Sequence, residues 1–428
     1  MKILWLVNII MPELAVHLEK KPTVFGGWIS GAMKAVKENG YELVICTTAS
    51  DVNETQKYIV NDVTYYISKR SAVAEMEEVF KGILNNENPD VVHIYGTEFE
   101  HSWAMAKCSD VNKTVVTIQG AMTYLKDHVY AGLEEKYCKD NLLHKTLRLI
   151  HKGGTSIELQ KKSFEQRAEI EQKVLKHVKY VMGGSKWGNA VAWSINPHCT
   201  TFDSGLILRD SFYTEDRWSY ENCEPHSIYI LHSYPIKGFH KFLDALPLVV
   251  NEFPDTKVFV VANTLPVRNY THIKKMVLDA APDYNWIIQN KIEQLNLSEH
   301  IKFLGYLNEQ QVKERMLKSN VFVSASSLEN QSTTLGEAMI LGVPSIASFV
   351  GAMPEMIEHG KDGFLYPFNE PYIMAHYICK LFKDSELAEQ YSVLGHKHAE
   401  KTYDKEKNKQ QLIKMYQCIA KAKRLDNV

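Results

Sequence analysis

Short apolar runs alternate along this chain with longer stretches in which apolar positions recur every three or four residues, and the alternation occurs twice. Continuous apolar runs bounded by polar segments predict buried strands, and the helical period between them predicts βαβ units around parallel sheets. In the first half the predicted strands are Lys2 to Val7, Glu42 to Thr47, Val91 to Ile94, Thr114 to Ile118 and Tyr180 to Gly183. The second half gives Ser227 to Leu231, Lys257 to Ala262, Ile301 to Phe303, Val321 to Ser324 and Pro344 to Ser348, with helices such as Glu309 to Lys318 between them. From about Phe212 to His226 the chain carries acids, Asn and Pro without periodicity, and a domain boundary is expected there. Two domains follow, 1–212 and 226–403, and Asp404 to Arg424 reads as one charged helix.

Length agrees with two domains, because 428 residues exceed what one hydrophobic core usually organises. A net charge of −2 excludes a generally basic nucleic-acid binder. The apolar start, Met1 to Val7, is stopped by Asn8 and is too short for a signal segment or a membrane span. Seven scattered cysteines form no C-x-x-C pair, which points to a reducing compartment and away from a structural zinc site. A cytoplasmic location is expected, at the inner face of the cell membrane if the chain touches one.

One segment carries chemistry. Glu329 and Glu337 stand eight residues apart in a string from Ser327 to Met339, between the Val321–Ala325 run and a helix that opens near Thr333. Free backbone N–H groups and the positive end of the helix dipole would face the strand's carboxyl edge, where an anionic phosphate would rest. Two carboxylates flanking that site would accept hydrogen bonds from hydroxyl groups. Polyhydroxylated groups on either side of a diphosphate describe a nucleotide sugar. A second loop, Ser227 to Gly238, is a strand that runs out into a lysine followed by glycine, Lys237-Gly238, and such loops bind ligands at the carboxyl edge of open α/β sheets.

The E-x7-E spacing, Gly336-Glu337-Ala338-Met339, Gly342-Val343-Pro344, Gly351 to Pro354 and Gly363-Phe364-Leu365 together resemble the donor half of glycosyltransferase family 4. The resemblance implies an α/β protein of the GT-B fold, with two Rossmann-like domains whose parallel sheets face a central cleft, and a retaining, metal-independent transferase. It implies that residues 1–212 bind the acceptor, that 226–403 bind the donor, and that the helix over 404–428 packs back on the first domain. By position, Lys237 would neutralise the diphosphate, Glu337 would hold the ribose hydroxyls and Glu329 would lie near the transferred sugar. Backbone N–H groups around Ser332, Thr333 and Thr334 would hold the distal phosphate, and Gly305 and Tyr306 would border the base. Asn330-Gln331-Ser332 stands where many members have Gly-Phe-Gly, which makes the sugar pocket polar.

Two positions depart from the family. His232 stands where an arginine is usual, five residues before Lys237; it is either a second phosphate contact or a structural residue. Gln119, in Ile118-Gln119-Gly120, stands where many members carry histidine; it cannot transfer a proton but can orient a sugar hydroxyl. Gly26-Gly27 would face the donor phosphate, or form a plain strand-to-helix turn, before a helix from about Ile29 to Asn39. His93 is placed near the acceptor by the resemblance, although a histidine within an apolar run reads first as a core residue. Gly184 to Trp187 and Leu208 to Tyr213 resemble a bacterial surface-polysaccharide subgroup.

The stretch 139–179 is basic, with Lys145, Arg148, Lys152, Lys161, Lys162 and Arg167. Leu143, Leu147 and Ile150 share one helix face, suited to an anionic bilayer or to packing on the chain's own domain. The expected activity is transfer of a sugar from a nucleotide diphosphate sugar, a UDP-sugar ahead of a GDP-sugar, to a saccharide or lipid-linked acceptor. No cofactor, metal or nucleic-acid partner is expected. The alternative is a nucleotide-sugar-binding or scaffold protein of the same fold with little turnover.

Overall fold

A computed structural model describes residues 1–20, 27–142, 145–146, 156–203, 205–262 and 282–426. The chain divides into two compact units, one of residues 1–124, 166–210 and 403–428, the other of 125–165 and 211–402. Residues 125–165, expected in the first domain, group with the second unit instead. Periodicity cannot assign a segment to one of two neighbouring cores, because amphipathic spacing says only that a face is covered.

The first unit is built on an eight-stranded sheet. Its strands are β1 (Lys2–Leu6), β2 (Glu42–Ala49), β3 (Gln56–Val60), β4 (Val63–Lys69), β5 (Val91–Tyr95), β6 (Thr114–Thr117), β7 (Tyr180–Met182) and β8 (Thr200–Phe202), in the order β3-β4-β2-β1-β5-β6-β7-β8. All pairs are parallel except β3 with β4. Central strands such as β5 are buried on both faces, which is why they read as unbroken apolar runs. The periodicity did not predict β3, β4 and β8. β3 and β4 form a hairpin whose two turn residues, Asn61 and Asp62, have φ of 50° and 62°, the positive values that Asn and Asp tolerate; β3 has an alternately exposed face, and β8 is a short edge strand with exposed threonines.

The second unit holds a six-stranded, wholly parallel sheet. Its strands are β9 (Glu224–His232), β10 (Lys257–Ala262), β11 (Ile301–Gly305), β12 (Ser319–Ser324), β13 (Ser345–Ser348) and β14 (Phe364–Tyr366), in the order β11-β10-β9-β12-β13-β14. The chain leaves β9 toward β10 and β11, then returns to lay β12 on the other side of β9. Connections that diverge from a central strand leave a crevice at its carboxyl end, the ligand position of open α/β sheets.

The helix Lys405–Asp426 belongs to the first unit. Its Tyr416 hydroxyl accepts from Trp5 Nε1 at 3.0 Å and meets His93 Nδ1 at 2.6 Å. Trp5, His93 and Tyr416 are all fully buried, so this polar cluster ties the chain's last helix to β1 and β5.

Candidate functional site

The crevice between β9 and β12 is where the second unit gathers its chemistry. Beyond β9 the chain makes a single tight turn, Pro235–Lys237, and Gly238 with φ of 68° then starts the helix Phe239–Glu252. A Cβ on Gly238 would overlap the carbonyl oxygen of Ala325, so the glycine is what lets the Lys237 loop lie against the segment after β12. Ser327 N donates to Ile236 O at 2.7 Å and fastens the two loops together.

Lys237 Nζ is ion-paired with Glu329, whose same oxygen, Oε1, accepts from Ser326 Oγ at 2.8 Å. Burial disfavours the Lys237 ammonium, but the Glu329 carboxylate and Tyr234 beside it raise its pKa above the ordinary lysine value. The lysine therefore remains a cation. Behind Glu329 stands Gly351, whose Cβ would overlap the Glu329 carbonyl oxygen, and Ala352 N donates to that oxygen at 3.0 Å.

The helix Thr333–Ile340 starts in the same place. Ser332 caps it, its side chain accepting from Leu335 N at 3.3 Å and its carbonyl from Gly336 N at 3.0 Å. The amides of Thr333 and Thr334 precede these and have no acceptor within the helix, as the first turn of any helix requires. A cavity of about 80 Å³ lies here, lined among others by Lys237, Ser324, Ser326, Glu329, Gln331 and Ser332 to Thr334. One cation, one carboxylate, several hydroxyls and a helix N-terminus share this wall, a set able to hold a phosphate beside a hydroxyl-bearing group.

Other residues singled out in the sequence lie elsewhere. His232 does not line this cavity; it is buried at 2% exposure among Phe239, Tyr284 and Phe303. Its Nε2 donates to Asn285 Oδ1 at 3.0 Å, and burial lowers its pKa to about 4. A neutral ring packed between aromatic rings is not poised as a cationic phosphate ligand. Glu337 is buried within its helix, Asn330 is buried beside the cavity wall, and neither lines the cavity. Gly305 ends β11 with φ of 69°, and Tyr306 is 46% exposed after it.

In the first unit, His93 is a core residue. Its Nδ1 meets Tyr416 and its Nε2 meets Thr117 Oγ1, both at 2.6 Å, and burial lowers its pKa to about 3. Gln119 is half-buried after β6, with Asn8 Nδ2 donating to its Oε1 at 3.4 Å. Gly27 opens the helix Gly27–Glu38, and Gly26 lies outside the described residues. The apolar face Leu143, Leu147, Ile150 and the cations Arg148 and Lys152 also lie outside them. Among the described cations of that stretch, Lys161 pairs with Glu165 and Lys162 with Glu158, each at 2.7 Å, and Arg167 pairs with Glu98 at 2.8 Å. Those charges are engaged within the protein.

The sequence reading missed Ser326, which orients Glu329, and the packing of residues 125–134 beside the Lys237 loop. Ser327 Oγ donates to His128 O at 3.3 Å, and His240 Nε2 donates to Ala131 O at 2.8 Å while its Nδ1 meets Tyr284 Oη at 2.9 Å. Because a carbonyl only accepts, Nε2 carries the proton and Nδ1 accepts from the tyrosine. The small hydroxylic run Ser324-Ala325-Ser326-Ser327 was a visible signal for the first; nothing local signals the second. Among the described residues no group of three or more His, Cys, Asp or Glu side chains could hold a metal ion, and no helix is long and apolar enough to cross a membrane.

Two α/β units built on parallel sheets place the chain in the GT-B fold class. Residues 217–398 match the family model described as glycosyl transferases group 1. Over that stretch the chain is similar to those glycosyl transferases, in line with the family 4 resemblance. It is 28% identical over 146 residues to N-acetyl-alpha-D-glucosaminyl L-malate synthase of Bacillus anthracis, a match over 34% of this chain and 36% of that one. The chain thus spans little more than a third of that relative's length. In fold it is similar to sucrose-phosphate synthase from Thermosynechococcus elongatus, with TM-score 0.69, 14% identity and coverage of 98% of this chain and 99% of the other. It is also similar to Anabaena HepE in complex with UDP-glucose, with TM-score 0.64, 13% identity and coverage of 98% and 100%.

Proposed function

We propose that this protein is a retaining glycosyltransferase that moves a sugar from a nucleotide diphosphate sugar to a saccharide or lipid-linked saccharide acceptor in surface glycan synthesis. The observation that carries the reading is the convergence of Lys237, Glu329 and the Ser332–Thr334 helix start on one cavity. The diphosphate would lie on the Lys237 ammonium and the Thr333 and Thr334 amides, and would take Lys237 as partner in place of Glu329. Glu329, released from its ion pair, would then accept hydrogen bonds from the transferred sugar. Glu337 would serve the ribose, which requires its buried carboxylate to face the nucleoside once bound. A UDP-sugar is favoured over a GDP-sugar, and the neighbour bound to UDP-glucose supports that order.

With no carboxylate assigned as a covalent nucleophile, the leaving phosphate oxygen would itself take the acceptor's proton during attack from the same face. The protein's task is then to stabilise charge on the diphosphate, the kind of preorganised electrostatics that usually dominates catalysis. No metal step is invoked. A second reading, a binding or scaffold protein of the same fold, is favoured by one observation: the neutral, buried His232 removes a charge from the expected phosphate contacts. Incubation with a panel of nucleotide sugars, reading slow hydrolysis and nucleotide release, separates the two. Tight binding without any release would establish the scaffold; no binding of any nucleotide sugar would end both readings.

A further inference from the structure

The first unit repeats the topology of the second. β1 pairs with β2 on one side and β5 on the other, so its own crevice opens where the connections from β1 and β5 diverge. Three connections bring polar side chains there: Asn8 after β1, Glu98 after β5 and Gln119 after β6. At their centre lies Gly96, with φ of 92°. A Cβ on Gly96 would stand 3.0 Å from Phe99 Cε2, 3.2 Å from Gln119 Oε1 and 3.3 Å from Glu98 Oε2, so both oxygens come close to the glycine beside the Phe99 ring.

Those oxygens are poorly served by the protein. Glu98 is 3% exposed; its Oε1 accepts from Arg167 Nη2 at 2.8 Å, whereas among the described residues Oε2 has no hydrogen-bond donor. Among the described residues Gln119 Oε1 receives only the long 3.4 Å bond from Asn8. Leaving a buried acceptor unsatisfied is destabilising, and more so for a charged one. The connections themselves are firmly held. Glu171, fully buried on the helix Ile157–His177, accepts from Thr97 Oγ1 at 2.9 Å and from Thr123 N at 2.8 Å, fixing the loop after β5 to the loop after β6. A rigid frame around two under-used acceptors asks for a ligand rich in O–H donors.

We propose that Glu98, with Gln119 beside it, binds hydroxyl groups of the saccharide acceptor, the Glu98 carboxylate accepting a hydrogen bond from a sugar hydroxyl. Gln119 supplies the complementary group, since its amide N–H₂ donates to the oxygen of a neighbouring hydroxyl. Arg167 is the positioning residue that holds the carboxylate in place. The inference rests on the glycosyl-transfer reading, in which the first unit takes the acceptor.

The test titrates the full chain with methyl glycosides of glucose, galactose and N-acetylglucosamine, read by saturation-transfer NMR, with UDP binding measured on the same samples. At least one glycoside should bind, Glu98→Gln should weaken it about tenfold, the scale of one hydrogen bond to a charged group, and UDP affinity should be unchanged. Gln119→Ala should weaken the same glycoside about threefold, and it carries the test if Glu98→Gln loses its native circular dichroism. Wild-type protein that ignores all three glycosides, or variants that bind them as wild type does, would overturn the assignment. Absence of UDP binding in wild type would instead sink the donor reading, whatever the glycosides do.

Discussion

The two units place a ligand crevice by one rule and furnish it with a different balance of donors and acceptors. In both, a central strand is flanked by one neighbour made before the chain turned back and one made after, β2 and β5 around β1, β10 and β12 around β9. At β9 and β12 donors and positive charge predominate beside the one carboxylate of Glu329: the Lys237 ammonium, the Thr333 and Thr334 amides and the serine and threonine hydroxyls. At β1 and β5 the groups are acceptors, Glu98 Oε2 and Gln119 Oε1. A crevice of donors suits phosphate oxygens; a crevice of acceptors suits hydroxyl protons. Topology thus decides where ligands go, and loop composition decides which.

The sharpest way to break this contrast is to remove the positive charge. Lys237→Ala should lower turnover by ~100-fold or more, the scale of deleting one preorganised donor to developing charge. A near-normal rate in that variant would show that the second crevice does not work through its lysine. The variant also frees Glu329 from its ion pair, so Lys237→Ala/Glu329→Gln is a useful companion: if the loss came from a stranded carboxylate, the double variant would recover.

Glycine gives the next contrast. Gly238 and Gly96 both have positive φ, but a Cβ on Gly238 meets the fixed Ala325 carbonyl, while on Gly96 it meets side-chain atoms of Phe99, Gln119 and Glu98 at 3.0–3.3 Å. Side chains can yield; a carbonyl inside a paired loop cannot. Gly238→Ala should cost about 3 kcal/mol and Gly96→Ala about 1 kcal/mol in urea unfolding, the values of a backbone clash and of left-handed strain alone. Equal losses would mean that the close approach of the two loops is not what holds the second crevice.

How much of this was legible beforehand differs between the same two regions. The second crevice was written in short-range spacing: Lys237 next to Gly238, Glu329 three residues before a Ser cap, and a helix opening at Thr333 where it was expected. Each signal lies within about ten residues, so sequence order carries the geometry. The ten strands predicted by apolar runs are all present, because parallel strands buried on both faces leave that unbroken mark. Of the first crevice, Gln119 was legible and Glu98 was not. Glu98 and Arg167 are 69 residues apart, and Thr97 and Glu171 are 74 apart; only the strand order brings them together. His232 stayed open between phosphate contact and structural residue for a related reason. Its place one strand-end before Lys237 is right for a phosphate contact, and only the rings of Phe239, Tyr284 and Phe303 around it show that the site is apolar.

Glu337→Gln probes the donor crevice more gently. If the buried carboxylate receives ribose hydroxyls, the amide should raise the KM for donor about tenfold with kcat nearly unchanged, as expected for one hydrogen bond to a charged group. An unchanged donor KM would remove Glu337 from the binding set.

The smallest effect distinguishes a structural His232 from a phosphate ligand. Its folded pKa, about 4, lies below the ordinary histidine value of about 6.5 because burial disfavours the imidazolium. The sign follows from which state binds the proton. Above pH 6.5 neither the folded nor the unfolded chain is protonated there, and the group contributes its full stability. As pH falls below 6.5 the unfolded chain takes up the proton first, so stability declines until the folded pKa is reached. Between pH 6.5 and 5.5 the decline from one such histidine is about 1 kcal/mol. His93, His101 and His240, each lowered to about 3 by burial, add the same slope in both units. His232→Phe, which suits the aromatic surroundings, should therefore shed about 1 kcal/mol of the acid sensitivity over that interval while the remaining histidines keep theirs. Urea midpoints at the two pH values, compared between variant and wild type, measure it. An unaltered slope would mean that His232 is already protonated in the folded chain near pH 6, and a charged imidazolium there would return it to the phosphate side of the comparison.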